Sequence, residues 1–458
     1  MIGDTTLKQI PKVSLIKLPF VLIDLIVNPL KTISKLFNSH GDIVAISANP
    51  TMIFINDPIA VKHILKDNAE NYSRSKTIDQ PSYRGLFEML GKGIFLSEGE
   101  DWKYQHNLIK SLFSFNAIAE TFPVIDIEIK KLIEKWKVTK EPVFIEQEMH
   151  MLLLKIMFQT NVSNVASFDY QKISHNLKFV MRFSSLKYMM RSQLVASIFE
   201  LFGMKYSFNR YKKNLEILRK MMNNIVDDLI DNKFPPTGLS KLLLQELNEQ
   251  RISKDEFTDQ LLNFLVAGFD TTAAALSWAM YNLAANPRYQ DKAKAELNES
   301  ILLDPQTHYA LRELPYLNLV VKETLRLYPV VWSIPRESTK ADELNGFFLP
   351  AKSIILISTY ALHRNNKFWA NANEFNPLNF EKDNFKGKNY AYIPFGQGAR
   401  ACIGRALSEY QIQFILSTLL INFTFEKVDR VNPLINPEII MSAKKPIRLR
   451  MSFNGSKS

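Results

Sequence analysis

The feature that most constrains this chain is Cys402, the only cysteine among its 458 residues. A single thiol can form neither an intramolecular disulfide nor a zinc site made of several cysteines. Glycines surround it in the segment Phe395–Gly404, and an apolar segment with a helical pattern, residues 406–423, follows it. A thiolate just before a helix meets free backbone N–H groups and the positive end of the helix dipole, and glycines let a flat ligand come close to the backbone. These properties favour axial ligation of a haem iron.

The residues around Cys402 also follow a known order. Six positions resemble the haem-binding signature of the cytochrome P450 family: Phe395, Gly396, Gly398, Arg400, Cys402 and Gly404. This resemblance implies haem b (iron protoporphyrin IX) as cofactor, with its iron ligated by Cys402 and with Phe395, Gly398 and Arg400 in contact with it. A buried, inert cysteine beside a loop is the alternative for an isolated thiol. Further motifs upstream, in the order of the family, weigh against that alternative.

A second motif lies inside a long helical pattern that covers residues 254–286. Its run Ala267-Gly268-Phe269-Asp270-Thr271-Thr272 places glycine in mid-helix, at a cost of about 1 kcal/mol relative to alanine. A threonine hydroxyl there can bond back to a carbonyl and bend the helix, which opens a groove beside a flat cofactor. The run resembles the oxygen-activation motif of the family, which implies that Asp270 and Thr271 deliver protons and that Ala267 contacts the haem. A capping or packing role for the threonines is the alternative.

A third motif contains Glu323 and Arg326, which share one face of a helix predicted over residues 315–327. As a surface ion pair they would stabilise the fold little. In the family that the chain resembles, the corresponding pair is buried and structural. Its usual third partner is an arginine, but this chain has Asn379 at that position. Asparagine can donate hydrogen bonds and brings no second guanidinium.

Haem carries two propionates, which require hydrogen-bond donors. Matching positions in the family imply four side chains near the cofactor: Trp102, His106, Arg336 and Arg400. His106 stands where the family pattern has arginine, and an imidazole can still donate. For Trp102 and His106 a packed amphipathic helix is the alternative. His363 is expected to be structural, and the remaining histidines show no metal-ligand spacing.

The resemblance covers residues 30–452 and implies a mainly α fold with small β-sheets, in which haem lies between a long central helix and the cysteine loop and helix. We expect an amphipathic lead-in over residues 1–30 and a single haem-thiolate monooxygenase domain over residues 31–458. Further helical patterns cover residues 58–65, 100–113, 118–136, 146–159, 168–191, 210–232 and 288–302. Strands are predicted at 43–48, at 52–56 and within 330–360, and residues 371–394 are predicted to be irregular.

The charge balance argues against one class of partner. The chain has 57 Lys and Arg against 46 Asp and Glu, a formal net charge of +11, but it lacks the dense Lys/Arg run typical of nucleic-acid binding. A basic face for an acidic protein or an anionic membrane is expected instead. The apolar segment 13–27 is interrupted by Lys17, Pro19 and Asp24, and it falls short of the about 20 residues of a spanning helix. We expect a soluble, cytoplasmic protein, with peripheral membrane contact through this segment left open.

These patterns predict a haem-dependent monooxygenase that activates O2 and hydroxylates or epoxidises a small apolar molecule. The pocket positions by family register are apolar: Phe87, Leu90, Phe264, Val331, Trp332, Ile440 and Met441. A fatty acid, a terpenoid or a steroid-like molecule fits such a lining. The alternatives are a peroxide-driven hydroxylase or haem-thiolate isomerase, and a haem sensor or carrier without turnover. The presence of both Asp270 and Thr271 argues against these alternatives.

Electrons are expected to come from a separate protein, because the chain lacks the cysteines of an iron–sulfur cluster and ends soon after its last strand pattern. A ferredoxin with its ferredoxin reductase, or a flavodoxin-type donor, would serve. Basic residues expected around the thiolate side of the fold are Lys103, Lys110, Lys382, Lys386, Lys388 and Arg405. A scattered, solvated surface is the alternative.

Overall fold

A computed structural model describes residues 7–46, 51–74, 88–164, 168–183, 209–297 and 314–456. Helices dominate these residues. In chain order they are α1 (Leu18–Val27), α2 (Pro29–His40), α3 (Pro58–Lys62), α4 (Gly99–Lys110), α5 (Phe115–Ala119), α6 (Phe122–Lys137), α7 (Ile145–Asn161), α8 (Tyr170–Phe183), α9 (Asn209–Ile230), α10 (Gly238–Asn248), α11 (Lys254–Leu265), α12 (Thr271–Ala285), α13 (Pro287–Glu296), α14 (Pro315–Leu327), α15 (Thr359–Leu362), α16 (Lys382–Phe385) and α17 (Arg405–Asn422). Wider, π-type turns follow α3 at His63–Asp67 and join α11 to α12 at Val266–Asp270.

The strands form small sheets, as expected for a mainly α fold. In chain order they are β1 (Lys8–Gln9), β2 (Ile43–Ile46), β3 (Met52–Ile55), β4 (Tyr72–Ser73), β5 (Val143–Phe144), β6 (Ile334–Ser338), β7 (Asp342–Leu344), β8 (Phe347–Leu349), β9 (Ile354–Ile357), β10 (Phe423–Lys427), β11 (Ile435–Pro437), β12 (Met441–Ala443) and β13 (Arg448–Phe453). The largest sheet has the order β2-β3-β9-β6-β4. Its antiparallel β4–β6 pair places Ser73 opposite Glu337, which connects the early part of the chain to the segment after α14.

The main hydrophobic core surrounds α12. Every residue from Thr272 to Ala284 is buried, so this helix is covered on all sides by its neighbours. A helix that is apolar all round requires such burial. Among the described residues, the stretch Lys254–Ala285 is also long and apolar enough to span a membrane, and a second candidate arises only if Gly99–Phe113 and the bent continuation Phe115–Lys137 count as one span. Within the first stretch, 72% of the apolar 18-residue window is buried inside the protein, which is typical of a core helix.

Several predicted elements differ from the structure for local reasons. The single helix predicted over 118–136 is two helices, because Pro123 lies in the first turn of α6, where its missing N–H costs nothing. The segment 371–394 is not wholly irregular, since it holds a 3₁₀ turn at Pro377–Phe380 and the short α16. Helix α10 was not predicted. The predicted helix 168–191 begins at Tyr170 and is described as far as Phe183.

Candidate active site

The cysteine loop begins at Phe395 and leads into α17. The Cys402 backbone N–H donates to the carbonyl oxygen of Phe395 across 2.9 Å, which closes the loop. Gly398 has a φ of +77°, and a Cβ atom there would lie 1.9 Å from the carbonyl oxygen of Leu65. Both the left-handed backbone and this close approach exclude a side chain. The glycine therefore fixes the loop against the turn after α3, and with it the position of Cys402.

The Cys402 side chain is enclosed by protein and is nevertheless accessible, because it faces open space inside the molecule. Burial raises the pKa of its thiol, while the backbone N–H of Gly404 and the charge of Arg405 act in the opposite direction. A thiol in such surroundings holds its proton until a metal ion displaces it. The position therefore suits a metal ligand better than a free nucleophile.

A second wall of this space is the long helix formed by α11, the turn Val266–Asp270 and α12, called the central helix below. Ala267 is exposed in that turn although Val266 and Phe269 are buried, so the turn presents a small residue to the open space. Thr271 Oγ1 donates to the carbonyl oxygen of Ala267 across 2.6 Å. This back-bond to a carbonyl was expected from the sequence, and it lies where the helix widens.

Contacts between neighbouring elements hold the two walls together. The hydroxyl oxygens of Thr272 and Ser408 lie 3.1 Å apart and join α12 to α17. The ring centroids of Phe113 and Phe264 are 5.6 Å apart. Phe113 Cε1 also lies 3.3 Å from the place that a Cβ atom of Gly404 would take. Phe113 thus touches both the central helix and the cysteine loop, and aromatic rings bound the space between them.

Three guanidinium groups gather at one edge of the site. The Arg400 guanidinium lies over the Trp102 ring, 4.1 Å from its centroid. Burial, together with repulsion between the guanidinium groups, lowers the pKa of Arg74 to about 9 and that of Arg336 to about 10. The Glu98 carboxylate is the negative charge that opposes this repulsion. Within the described part of the chain, Arg400 Nη1 is buried without a hydrogen-bond acceptor.

This cationic edge fits the rim of a haem. Two carboxylates placed here would give Arg400 Nη1 an acceptor and would neutralise the mutual repulsion of the guanidinium groups. The accessible thiol of Cys402 and the small wall at Ala267 leave room for a planar group with a metal at its centre. The residues present therefore fit haem b, which the sequence predicted.

Arg74 is a residue of this site that sequence reasoning missed. The β4–β6 pairing places Ser73 opposite Glu337 and so brings Arg74 beside Arg336. The Arg74 guanidinium also lies over the Phe95 ring, 3.9 Å from its centroid. No local pattern marks this arginine, because its neighbours come from a strand more than 250 residues later in the chain.

Two further residues predicted to contact the cofactor lie together on α4. The rings of Trp102 and His106 have centroids 4.9 Å apart. Only Ile109 is buried within α4, so the face that carries Trp102 and His106 is not packed into the core. Trp102 thus lies beneath Arg400, and His106 lies next to Trp102.

Part of the predicted substrate lining belongs to the main core. Leu90 and Ile440 are buried there, Phe264 is partly buried, and Val331 is 41% exposed. All four side chains are apolar. Phe87 lies outside the described residues.

Trp332 and Met441 have a different setting. Both belong to the smaller core cluster against which α1 and α2 pack. The Trp332 indole N–H donates to the carbonyl oxygen of Glu438 across 2.7 Å, and the Trp278 indole N–H donates to that of Met441 across 3.1 Å. These contacts fix the segment around β12 in place beside α12.

Glu323 and Arg326 form a fully buried ion pair on α14, with both side chains 0% exposed. Arg326 donates through Nε and Nη2 to the two carboxylate oxygens of Glu323, each across 2.7 Å. Glu323 Oε1 also accepts from the backbone N–H of Asn376 at 2.8 Å and from Asn379 Nδ2 at 3.1 Å. Burial raises the pKa of the Glu323 carboxyl, and these donors oppose that rise. The pair lies in the core and not on the surface.

The remaining Arg326 donors hold the chain that leads to the cysteine loop. They bond to the carbonyl oxygens of His363, Ala372 and Glu374 across 2.7–2.9 Å. The His363 ring accepts from the backbone N–H of Ile393, just before the loop, across 2.8 Å. Burial lowers the pKa of His363 to about 3, so its ring is neutral and able to accept. His363 is structural, as the sequence predicted.

Asp270 is 9% exposed and bonds through Oδ1 to Nε2 of His150 on α7. Burial alone would raise the pKa of Asp270, but the charges of His150 and Lys178 and the hydrogen bond from His150 outweigh it, so this pKa lies below its usual value. Asp270 is therefore an anchored carboxylate one residue before Thr271. Sequence reasoning missed His150, because α7 carries no motif that points to α12.

The site combines a lone thiol before a helix, a widened turn in the facing helix with a bonded threonine hydroxyl, and a cationic rim. Together these features define a haem-thiolate protein. A sequence description of the family "Cytochrome P450" matches residues 12–451 of this chain. Cytochrome P450 3A16 of Mus musculus is 28% identical over 424 residues, which are 87% of this chain and 82% of that protein. Cytochrome P450 3A25 of Mus musculus is 29% identical over 442 residues, or 91% of this chain and 85% of that protein. Cytochrome P450 3A2 of Rattus norvegicus is 28% identical over 438 residues, which are 91% of this chain and 85% of that protein.

The chain belongs to the cytochrome P450 family. It is a cytochrome P450 monooxygenase, a haem-thiolate oxidoreductase that uses O2 and takes electrons from a redox partner. Its cofactor is haem b, with Cys402 as the iron ligand. These conclusions confirm the predicted family, fold class, enzyme class and cofactor.

Proposed function

We propose that this enzyme hydroxylates or epoxidises a small apolar molecule, with Asp270 and Thr271 delivering protons. The observation that carries the proposal is the 2.6 Å hydrogen bond from Thr271 Oγ1 to the carbonyl oxygen of Ala267. It occupies the widened turn that faces the cysteine loop, so a hydroxyl stands at the edge of the open space. The buried carboxylate of Asp270 adjoins it in the chain.

The roles of the side chains follow from their positions. Haem b supplies oxygen activation when bound, and the Cys402 thiolate favours O–O cleavage. Arg74, Arg336 and Arg400 would hold the propionates and so fix the orientation of the ring. The Thr271 hydroxyl can exchange its bond to Ala267 for a bond directed into the open space. It would then pass on a proton that reaches it through the Asp270 carboxylate, and the apolar walls exclude other water.

The substrate class follows from the lining. Leu90, Phe264, Val331 and Ile440 offer no hydrogen-bonding side chain, so a polar or charged molecule would lose hydration without compensation. A fatty acid, a terpenoid or a steroid-like molecule suits this surface. A screen of such compounds for substrate-induced change in the haem spin state would identify ligands, and a screen that favours charged polar compounds would contradict the assignment.

We propose that the electron donor docks on a basic face beside the cysteine loop. The basic residues of this face differ in whether they form ion pairs or ring contacts within the protein. Lys103 pairs with Glu100 at 2.7 Å and Arg405 pairs with Glu409 at 3.0 Å. The Lys388 ammonium lies 4.8 Å from the centroid of the Trp369 ring, so it also serves the local packing. Lys110, Lys382 and Lys386 are exposed, and they have no ion pair within the described residues. We infer that these three lysines steer a ferredoxin or a flavodoxin-type donor.

We also propose peripheral membrane contact through α1 for this otherwise cytoplasmic protein. One face of α1 packs on the core through Leu18, Val21, Leu22 and Leu25. The opposite side leaves Phe20, Ile23 and Val27 between 55% and 70% exposed, and Ile16, just before the helix, is 85% exposed. Exposed lysines flank this apolar face: Lys12, Lys17, Lys31 and Lys35. Such a surface suits the interface of an anionic bilayer.

Co-sedimentation with vesicles tests the membrane contact. The full chain should bind anionic phospholipid vesicles more tightly than neutral ones, and the double change Phe20→Ser and Ile23→Ser should weaken binding to both. The matched control is Ile59→Ser, which changes a 65% exposed isoleucine on α3. Equal binding by the double variant and the wild-type chain would overturn the contact.

The decisive experiment on the proposed reaction measures coupling, the amount of product formed per NAD(P)H consumed with an electron donor present. Thr271→Ala should keep haem and substrate binding but divert electrons to peroxide, and Thr271→Ser should restore coupling. The matched control is Ser277→Ala, because Ser277 makes the same kind of back-bond, to Ala273 at 2.7 Å, deeper in α12. Unchanged coupling in both Thr271→Ala and Asp270→Asn would contradict the proposed proton delivery.

A further inference from the structure

The imidazole of His150 has its two nitrogens committed to different partners. Nδ1 bonds to the carbonyl oxygen of Glu146, one turn earlier on α7. Nε2 bonds to Asp270 Oδ1 on the central helix. His150 and Asp270 are each 9% exposed, so water competes little for either bond.

The carbonyl partner fixes the tautomer of His150. A carbonyl oxygen can only accept, so Nδ1 must carry a proton. The bond between Nε2 and Asp270 Oδ1 then needs one further proton, which lies on the nitrogen or on the oxygen. The pair therefore stores a single shared proton, and it is neutral overall in both arrangements.

The charged groups that face the pair come from two helices. Lys178 on α8 is half-buried, and its charge acts on both Asp270 and Glu146. The Glu146 side chain accepts from the backbone N–H of Ala443 at 3.0 Å, which anchors the start of α7 to β12. The Phe269 ring packs against the imidazole, with centroids 6.0 Å apart. Polar groups thus approach the pair from the side of α8, and an aromatic wall covers it beside the central helix.

We propose that His150 is a positioning residue that holds Asp270 in place and reloads it with the proton that Thr271 passes on. This inference rests on the proposed role of Asp270. The proton moves from Nε2 of His150 to Oδ1 of Asp270, and the imidazole keeps its Nδ1 proton. Water that enters past the half-buried Lys178 returns a proton to Nε2. No electron transfer or further reactant is involved.

The proposal sets the sign of a pH dependence. While the shared proton is present, it joins His150 to Asp270. When pH rises far enough to remove it, an imidazole lone pair faces a carboxylate oxygen, and the bond that holds Asp270 is lost. Coupling should therefore fall on the alkaline side. A glutamine at position 150 can still donate to Asp270 but cannot store or release a proton.

Nitrogen NMR on the haem-loaded protein tests the proton arrangement without turnover. Histidine labelled with ¹⁵N is observed in the ferrous carbon monoxide complex, which is diamagnetic, and the seven histidines are assigned by single replacements. His150 should keep a protonated Nδ1 at every pH and lose only its Nε2 proton on the alkaline side. An Nδ1 without a proton would overturn the proposal.

Coupling measured against pH completes the test. We expect His150→Gln to lower coupling at neutral pH, by less than the roughly 10²–10⁴-fold contribution of a group that transfers a proton directly to the reacting atoms, and to flatten its pH profile. Exchange of the exposed His175 on α8 for glutamine is the matched control and should change neither. If Asp270→Asn lowers coupling but His150→Gln keeps the wild-type profile, the role of His150 is wrong and the proposed function stands. If neither Asp270→Asn nor Thr271→Ala changes coupling, both the role of His150 and the proposed proton delivery are wrong.

Discussion

Asn379 Nδ2 lies 3.1 Å from Glu323 Oε1 and donates a hydrogen bond to it inside the buried pair with Arg326. An amide therefore stands where the family usually places a second guanidinium, and it supplies one donor without a charge. Because the carboxylate of Glu323 and the guanidinium of Arg326 cancel, the buried network is neutral as it stands. The backbone N–H of Asn376 supplies the other donor to Oε1.

This network predicts that substitutions of its members lower the free energy of unfolding by unequal amounts. Arg326→Ala strands the Glu323 carboxylate and should cost about 3–5 kcal/mol of unfolding free energy, with little haem-loaded protein recovered. Asn379→Ala removes one hydrogen bond and should cost about 1–3 kcal/mol while haem is retained. Denaturant unfolding together with haem content measures both effects. Asn384→Ala, which removes an exposed amide in the same segment, is the control. A stable, fully loaded Arg326→Ala would contradict the burial of the pair.

The position of Cys402 predicts a spectroscopic result. Reduced protein with carbon monoxide should show the Soret band of a thiolate ligand, because Cys402 is the only thiol in the chain. Cys402→Ala should lose this band, and Cys402→His should keep haem but lose O–O cleavage. The neighbouring change Gln397→Ala should leave the band in place. A thiolate-type band in Cys402→Ala would rule out the assignment.

The parts of the fold that the sequence predicted well are those with local causes. Helix α14 has the predicted bounds, Pro315–Leu327, because a proline starts it and an apolar face runs along it. The glycines and Cys402 specify their loop through their own backbone requirements. The bond from Thr271 to Ala267 was also predictable, since it spans one helical turn.

The parts that the sequence did not predict depend on distant segments. Arg74 reaches the site through the pairing of β4 with β6, and His150 meets Asp270 because α7 packs beside the central helix. Neither contact has a local signal in the chain. Trp332 was expected in the pocket lining, and the structure shows its indole bonded to Glu438 in the smaller core cluster.

The repulsion among the three guanidinium groups predicts that one substitution has opposite effects on haem binding and on the stability of the haem-free protein. Arg74→Gln should weaken haem binding by roughly tenfold, because one charge-assisted hydrogen bond to a propionate is lost. The same change should stabilise the haem-free protein, since it removes one of the mutually repelling charges. Haem transfer to an acceptor protein and unfolding of the haem-free chain measure the two effects. The exposed Arg430, changed to glutamine, should alter neither. Equal destabilisation of both states would point to packing alone.

The three exposed lysines that are proposed to steer the electron donor predict how the rate of reduction depends on salt. Charge reversal at Lys110, Lys382 and Lys386 should slow reduction by an acidic protein donor, because steering between opposite charges raises the rate of encounter. Reduction by dithionite should not change, since it needs no docking surface. Lys445→Glu, in the loop between β12 and β13, alters net charge elsewhere and should have little effect. The wild-type rate should also fall with ionic strength, and the triple variant should lose most of that dependence. If the reduction rate with the protein donor ignores both salt and these reversals, the donor docks on another face.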